Sequence, residues 1–450
     1  MRRPRRPRFR IPTAGPGRRG QPTWRRVDEA MGGRMRSVGV EEELLLADAD
    51  SGAPLAVAGA VLAAADRAQA AGEGVGEGRG HTFESELQEE QVEFATKPVT
   101  DMGELHQEIV RWRAEAARHA ATAGAVVAAI ATSPLAVQPS ISPGHRYEWV
   151  ARQFGMTAQE QLTCGCHVHV SVESDEEGVG VLDRIRPWLP LLTALSANSP
   201  FWQGEDTLYG SYRSRVWNRL PSAGPFDVFG SPARYHAEVR SMVDSGVLRD
   251  KGMLWFDARL SATYPTVEIR VADVCLDAST PVLLAGLVRA LVETAAREWR
   301  AGEPPAQVST GLLRLASWQA GRSGLDGPLL HPLSLRETSP ETAIEALLLH
   351  VGDALADSGD EHLVRTGVAD LPEHGNGARP AGAAAVGRGP GRCRPALRAA
   401  HDGHRRGCGI TAGHPERGGV GWSACRNRNC TPTVSCSAGG GSPTSNRGRR

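Results

Sequence analysis

The sequence has no excess of either charge, since 51 Lys and Arg residues balance 51 Asp and Glu residues. It also lacks a continuous apolar run of about 20 residues, the length that crosses a bilayer, which predicts that no membrane is involved. The basic start, MRRPRRPRFRIPTAGPGRRG, lacks the apolar segment of a secretory signal, so we expect a cytoplasmic protein. No stretch fits GxxxxGK followed by Ser or Thr, which excludes a P-loop nucleotide site.

Cysteine is scarce in the middle of the chain and crowded towards its end. Three of the eight cysteines are Cys164, Cys166 and Cys275, and the others lie between Cys393 and Cys436. Disulfide frameworks are typical of small secreted domains, and nothing else in the sequence indicates secretion. We therefore expect free thiols.

Composition divides the chain into three parts. Residues 1–34 are rich in Arg, Pro and Gly without hydrophobic period, which predicts a disordered basic extension. A nucleic-acid-binding arm, or a mis-assigned start codon ahead of Met35, would give the same composition. Residues 35–375 have the patterning of a folded catalytic domain. Residues 376–450 are dominated by Gly, Arg, Pro and Cys, and we expect disorder because they hold too little apolar surface to offset chain entropy.

The central part mixes strands and helices in an irregular order. The helix DMGELHQEIVRWRAEAARHAATAG is predicted to begin after Asp101 and to end at Gly124. The segment LWFDARLSATYPTVEIRVADVC predicts two strands with a turn near Tyr264 and Pro265. Further strands are predicted in SVGVEEELLLAD, ELQEEQVEFATKPV, AVVAAIATSPLAV and LTCGCHVHVSVE, and a further long helix in PVLLAGLVRALVETAAREW. The lack of regular βαβ alternation favours an α+β fold over a doubly wound sheet.

Two carboxylates of the first predicted strand face the same way. Residues two apart on a strand share a face, so Glu41 and Glu43 point together, opposite to Glu42. Held close, the two raise each other's pKa unless a cation lies between them, and hard oxygen ligands suit Mg²⁺ or Mn²⁺. A solvated acidic strand edge has the same pattern and, for this pair alone, is the simpler interpretation.

Two histidines also share one face, in the strand GCHVHVSVE. Gly165 lies on the same face as His167 and His169, which predicts room for a bulky group such as a phosphate. A hydrogen-bonded core pair is the alternative. Cys164 and Cys166 would complete a zinc site only by converging with the histidines, yet on a continuous strand they face the other side.

Further charged residues occur in pairs on two other strands. Glu268 and Arg270 share a face of TVEIRV, where a plain ion pair is the simpler interpretation. In a phosphoryl-transfer site the glutamate of such a pair holds a metal and the arginine stabilises charge on the transferred group. In ESELQEEQVEFAT, Glu86 and Glu93 have opposite parity and converge only if the chain bends or bulges between them.

The stretch YGSYRSRVWNRLPSAGP interleaves Arg213, Arg215 and Arg219 with aromatic residues. A solvated loop is the simpler interpretation. The functional one is a clamp for a substrate carboxylate, because a planar guanidinium binds a carboxylate through two hydrogen bonds. Together with the acidic strands and the histidines, this loop suits ATP-driven activation of a carboxylate, with metals doing much of the phosphate binding.

The motifs MRSVGVEEELLL, ELQEEQVEFAT, LTCGCHVHV, YGSYRSRVWNRLPSAGP and DARLSATYPTVEIRVADVC, in this order, resemble those of glutamate–cysteine ligase type 2, a carboxylate–amine ligase family. The resemblance covers residues from Met35 to about 375. It implies a glutamine synthetase-like catalytic domain, in which an antiparallel sheet flanked by helices forms a funnel around ATP and divalent metals. It further implies that ATP phosphorylates the γ-carboxylate of glutamate, and that an amine, cysteine in the family's named activity, attacks the acyl phosphate.

The resemblance also implies roles for single residues. Arg270, Arg213 and Arg219 are the candidate catalytic residues, and His169 and Arg270 are the candidate nucleotide contacts. The candidate metal ligands are Glu41, Glu43, Glu86, Glu93, His167 and Glu268. The implied cofactors are ATP and Mg²⁺ or Mn²⁺. The implied partners are small-molecule substrates, namely glutamate and cysteine or another amine, with no membrane and no nucleic acid; a homo-oligomer is left open.

The chain departs from the family pattern at its end. The turn HGNGAR is present, but the helical segment expected after it dissolves at Pro380. A frameshift would produce this change and would remove any substrate-contacting arginine of those helices. Three alternatives stay open: a catalytically impaired relative that binds nucleotide, a basic-tailed nucleic-acid binder, and a zinc protein built on Cys164 and Cys166.

Overall fold

The computed structural model of the chain describes residues 35–72, 83–374 and 376–378. All of them fall in the first of two units, Met1–Cys408, and the second unit, Gly409–Arg450, lies outside the described residues. The predictions for residues 1–34 and for nearly all of residues 376–450 likewise lie outside the described part.

One large antiparallel sheet organises the protein. Its strands are β1 (Val38–Asp48), β2 (Glu84–Ser85), β3 (Gln91–Ala95), β4 (Ala125–Ala128), β5 (Gly165–Ser171), β8 (Ala258–Leu260) and β9 (Thr266–Asp273). The strand order is β2-β3-β1-β5-β9-β8, and β4 also pairs with β1. Two small ribbons join β6 (Phe201–Trp202) to β7 (Glu205–Asp206), and β10 (Leu329–Leu330) to β11 (Glu337–Thr338).

Helices fill the connections between the strands. Within the described ranges they are α1 (Ala58–Ala70), α2 (Met102–Ala121), α3 (His145–Phe154), α4 (Met156–Gln159), α5 (Asp175–Ile185), α6 (Leu189–Ser196), α7 (Arg213–Trp217), α8 (Pro232–Asp244), α9 (Ser279–Arg300), α10 (Thr310–Ser323), α11 (Pro340–His350), α12 (Gly352–Ser358) and α13 (Glu361–His374). The predicted α+β class is confirmed. The predicted start of α2 after Asp101 is confirmed as well, and the Asp101 side chain accepts a hydrogen bond of 2.7 Å from the Glu104 backbone N–H.

The two faces of the sheet differ in chemistry. On β1, Val38, Val40 and Leu44 are buried in the apolar core, and Glu42 on the same face is neutralised by Arg113 of α2 through two bonds of 2.7 Å. Helices α2, α5, α6 and α9 pack behind this face. The opposite face carries Glu41 and the other polar residues of alternate parity, so the pleat sends the charged side chains of the strands to one side.

Helix α9 bears on the prediction about apolar runs. Among the described residues it is the one helix long and apolar enough to cross a membrane by length and composition, and 78% of its apolar window is buried in the protein. It holds no continuous apolar run of about 20 residues, because Arg289 and Glu293 lie within it. Arg289 interrupts the run in the sequence, but inside the fold it is neutralised by Asp360, so the helix stays buried.

The second predicted strand is shorter than its sequence pattern indicates. Residues 89 and 90 form a turn, and only Gln91–Ala95 extends as β3. The Gln91 backbone N–H donates to the Gln88 carbonyl oxygen at 3.3 Å within this turn. The chain thus bends between Glu86 and Glu93, which is the bend that the opposite parity of these residues required.

Candidate active site

The polar face of the sheet lines a cavity of about 390 Å³. Strands β1, β3, β5 and β9 supply most of its charged groups because they lie side by side in the sheet. The charged residues and the histidine that line it are Glu41, Glu43, Glu84, Glu86, Glu93, Arg146, Arg259, Arg270 and His167. The structure therefore brings most of the predicted site residues into one enclosure.

Glu41 joins the two histidines at the centre of this group. Its Oε2 lies 3.2 Å from His167 Nδ1, and its Oε1 lies 3.2 Å from His169 Nε2. Burial alone would raise the pKa of Glu41, but the charge of His169 and the bonds from both rings hold it well below its usual range. Burial and the charge of Arg270 lower the pKa of His167 to about 4, while Glu41 outweighs burial and raises the pKa of His169.

Three further carboxylates crowd together beside them. Glu43 and Glu93 are directly opposite in the β1–β3 register, and Glu86 hydrogen-bonds to Glu93. Burial and the charge of Glu86 raise the pKa of Glu43 to about 7, although its Oε2 accepts a bond of 2.6 Å from the Gly165 N–H. Burial and these same neighbours raise the pKa of Glu93 well above its usual range. Because β1 lies inside the sheet, the interpretation as a solvated strand edge is wrong.

These donors fit divalent cations. Two groups of ligand atoms, Glu41–His169–Glu268 and Glu41–Glu93–His167, each lie within 4.8 Å of one another. Among the described residues, buried His167 Nε2 has no hydrogen-bond partner, and it lies 4.0 Å from Glu43 Oε1. Mutually repelling carboxylates and an unpartnered imidazole nitrogen are what a bound Mg²⁺ or Mn²⁺ would satisfy.

Glu268 is shared by two arginines. Arg259 Nε and Nη2 donate to its two oxygens at 2.8 and 3.0 Å, and Arg270 also donates to it. These cations outweigh burial and hold the pKa of Glu268 well below its usual range. Glu268 and Arg270 thus form the ion pair that was the simpler interpretation. Glu268 also belongs to a group of metal-donor atoms with Glu41, and Arg270 lines the cavity.

The arginine-rich stretch divides into an inner and an outer part. Arg213 is 1% exposed, and its Cζ lies 5.3 Å from the centroid of the Trp217 ring. The Cζ of Arg270 lies 5.5 Å from the same centroid. Arg219 instead binds Glu160 at 2.6 Å near the surface and does not line the cavity. Helix α7 ends at Trp217, so position 219 lies beyond it and turns outward.

The expected space beside Gly165 is occupied by protein. A Cβ at this position would lie 2.9 Å from Cζ of the Arg213 guanidinium and closer still to Nη2. The prediction that this glycine leaves room for a phosphate is therefore wrong, because the room is taken by Arg213. The glycine instead allows the arginine to approach the strand backbone.

The cysteines of the middle part take no part in the site. Cys164, Cys166 and Cys275 are free, as predicted, and burial raises the pKa of each thiol well above its usual range. Cys166 and Cys164 belong to two different apolar clusters of the core. The metal-donor groups found in the described part contain no cysteine, so the zinc alternative has no support there.

Several lining residues escaped the sequence analysis. Arg259 could have been found, because pairing the predicted hairpin around Tyr264 and Pro265 sets it opposite Glu268. Arg146 and Tyr147 come from α3, whose sequence has no chemical motif. Gln91, Gln161, Thr163 and Trp255 also line the cavity and were given no role.

The antiparallel sheet with its charged cavity defines the class, an α+β protein of the glutamine synthetase-like fold. The solved glutamate–cysteine ligase of Francisella tularensis in complex with AMP shares this fold with a TM-score of 0.59 at 12% sequence identity. The match covers 84% of this chain and 89% of that chain. At this identity the likeness concerns the fold alone.

The chain belongs to glutamate–cysteine ligase family 2, whose sequence profile matches residues 37–386. A Streptomyces avermitilis protein named "Putative glutamate--cysteine ligase 2-1" is 61% identical over 345 residues, covering 77% of this chain and 93% of that protein. A Streptomyces coelicolor protein named "Putative glutamate--cysteine ligase 2" is 60% identical over the same length and the same shares. The predicted family is confirmed.

Proposed function

We propose that this chain is an ATP-dependent carboxylate–amine ligase. It phosphorylates the γ-carboxylate of glutamate and couples the acyl phosphate to an amine, with cysteine as the first candidate acceptor and γ-glutamylcysteine as the product. Membership of the family and the names of its relatives support this activity. The cytoplasmic location and the domain limits at residues 35 and 375 stay predictions.

One observation carries the proposal. Carboxylates and imidazoles from four strands form two groups of donor atoms that share Glu41. Glu41, Glu93 and His167 of these groups line one cavity together with Arg270. Phosphoryl transfer needs positioning and charge neutralisation more than it needs a reactive protein group, and this arrangement supplies both. A purely structural ion-pair network would not leave His167 Nε2 buried and unpartnered.

The residues divide the work by charge. Glu41, Glu43, Glu86, Glu93, His167 and Glu268 would hold Mg²⁺ or Mn²⁺, which when bound neutralises the phosphates of ATP. Arg270 is oriented by Glu268 and stabilises negative charge that develops on the transferred group. His169, whose Nδ1 lies 3.0 Å from Thr266 Oγ1, is held in place to contact the nucleotide.

The two remaining candidate catalytic residues differ in position. Arg213 is buried and stabilises the cavity wall through its contact with the Trp217 ring. Its Nη1 also lies 3.9 Å from Asp273 Oδ1. Arg219 would reach a substrate only by leaving Glu160. Its assignment as part of a carboxylate clamp is kept as part of the proposal.

The direct test is ADP release with ATP, Mg²⁺, L-glutamate and L-cysteine, together with mass detection of the coupled product. We expect Glu93→Gln to lower ADP release by about 100-fold or more, because the change keeps the shape of the side chain but removes a carboxylate that would hold the proposed Mg²⁺. The matched control is Glu90→Gln. Glu90 is buried in the same segment, but its carboxylate accepts from the Ser140 N–H at 3.0 Å and does not line the cavity.

Equal loss in the Glu93 and Glu90 variants, with both folded, would remove the proposed role of the acidic cluster. ADP release with glutamate and an amine other than cysteine would keep the ligase and replace the acceptor. Nucleotide binding without ADP release for any carboxylate and amine would instead favour the catalytically impaired relative.

A further inference from the structure

The indole ring of Trp217 lies against two buried arginines at the cavity wall. Trp217 is the last residue of α7 and lines the cavity, and the Cζ atoms of Arg213 and Arg270 lie 5.3 and 5.5 Å from its ring centroid. A guanidinium within about 6 Å of an aromatic ring is attracted by the negative potential of the ring face. Of the four such contacts among the described residues, two fall on this one ring.

The hydrogen bonds of Arg270 leave the plane of its guanidinium incompletely fixed. Among the described residues, its side chain donates to Glu268 through Nη1 alone, and its buried Nε has no hydrogen-bond partner. A planar group held at one nitrogen can still turn about that bond. The contact with the Trp217 ring restricts this rotation, because turning away would lose the cation–π attraction. The ring is thus a second restraint on the orientation of Arg270.

Trp217 is held in place by the strand that carries Arg270. Ser199 Oγ donates to Asp273 Oδ2 at 2.7 Å and accepts from the Arg213 backbone N–H at 2.9 Å, which fixes the start of α7. Arg213 and Trp217 are four residues apart and therefore share a face of this helix. Asp273 and Arg270 both belong to β9. The ring and the guanidinium are therefore positioned from one support.

We propose that Trp217 is a positioning residue, which orients the Arg270 guanidinium and offsets its repulsion from Arg213. Like charges close to each other repel, and the face of the ring attracts both of them. Trp217 acts through Arg270 and not by contact with the reacting atoms. This inference rests on the proposed function for the role of Arg270, and it adds a residue that has neither a charge nor a metal-ligating atom.

Side-chain NMR of the full-length chain tests the orientation without turnover. In a chain with isotope-labelled arginine, Arg270→Lys identifies the Nε–H signal of Arg270 by its loss. We expect Trp217→Leu to lower the order parameter of this group from about 0.8 to below about 0.6, the value of a flexible group. Trp217→Phe keeps a ring face and should keep the order parameter. An unchanged value in a folded Trp217→Leu chain would overturn the proposal.

A double-mutant cycle tests the consequence for the reaction. Trp217→Leu should lower kcat for ADP release by about tenfold or more and change KM for ATP by less than about threefold, because Arg270 acts on charge that develops only in the transition state. In an Arg270→Lys background, which has no planar group to orient, Trp217→Leu should lower kcat by less than about twofold. An equal loss in both backgrounds would make Trp217 a wall residue only.

Trp255→Leu is the matched control. Trp255 also lines the cavity, but its ring packs against Phe154 at a centroid distance of 5.5 Å, and within the described ranges no guanidinium lies over it. The variant should leave the order parameter of Arg270 unchanged, and any loss of kcat should be equal in the wild-type and Arg270→Lys backgrounds. If Trp255→Leu behaved as Trp217→Leu does, the effect would belong to the cavity wall in general, and the proposal would be rejected.

The proposed function and the role of Trp217 fail in different ways. A lowered order parameter in Trp217→Leu, without ADP release for any carboxylate and amine, would reject the ligase and leave the positioning of Arg270 standing. ADP release by wild type, with an unchanged order parameter in Trp217→Leu, would reject the positioning role and leave the ligase standing.

Discussion

The pKa values of buried carboxylates in this protein differ according to the cations beside them. Glu268 has two arginines and Glu41 has His169, and each is held ionised despite burial. Asp257 is also buried, but Arg215 and Arg314 only partly offset the cost, and its pKa is raised to about 7. The same physical penalty therefore gives opposite outcomes, decided by the distance to a compensating charge.

The raised pKa of Asp257 can be tested through the pH dependence of stability. Its ordinary pKa in the unfolded chain is about 4, so between about pH 4 and pH 7 the native state keeps a proton that the unfolded state has lost. Stability contributed by this group is complete below that window and is lost as the pH rises to 7. The Asp257→Asn variant has no group that titrates here. The difference in the free energy of unfolding, variant minus wild type, should therefore rise by about 2–4 kcal/mol between pH 4.5 and pH 8. Urea unfolding at both pH values measures it; a difference that does not change with pH would contradict the assignment.

The strands show which parts of the site a sequence can reveal. Alternation on β1 predicted that Glu41 and Glu43 share a face, and the register confirms it, with Glu42 turned towards Arg113. Period alone could not predict that β1 lies between β3 and β5, because antiparallel partners distant in sequence leave no local pattern. For the same reason, the local pattern around Gly165 could not predict that Arg213 of α7 fills the space beside it.

The contact of α7 with β5 gives an element-scale prediction. Gly165→Ala would force the buried Arg213 guanidinium away from the strand, since the new Cβ lies 2.9 Å from its Cζ. We expect a loss of about 1–3 kcal/mol in the free energy of unfolding, the usual cost of overpacking. ADP release should fall as well, because Arg213 shares Trp217 with Arg270.

Gly59→Ala is the control for this substitution. Gly59 lies in α1, and a Cβ there would meet nothing within 4 Å, so the variant should be as stable as wild type or more stable. If Gly165→Ala were as stable and active as Gly59→Ala, the close approach of Arg213 would have no energetic importance.

At the scale of the whole molecule, the sheet separates two environments. Helices pack on one face and make the core, and the other face collects charge from strands that are far apart in sequence. The sequence motifs pointed to the candidate ligands, and the family resemblance implied the funnel. The lining residues Arg146 and Tyr147 of α3 could be found only in the assembled fold. Because four strands supply the candidate ligands, we expect metal binding to depend on the complete sheet.

The most direct measurement is equilibrium binding of Mn²⁺ to the full-length chain, followed by electron paramagnetic resonance. Glu41 belongs to both donor groups, so Glu41→Gln should weaken every Mn²⁺ site by about tenfold or more, whereas Glu90→Gln should bind as wild type does. The account would be contradicted if a folded Glu41→Gln chain bound as many Mn²⁺ ions as wild type and bound them as tightly. That result would exclude a shared metal centre on the polar face of the sheet.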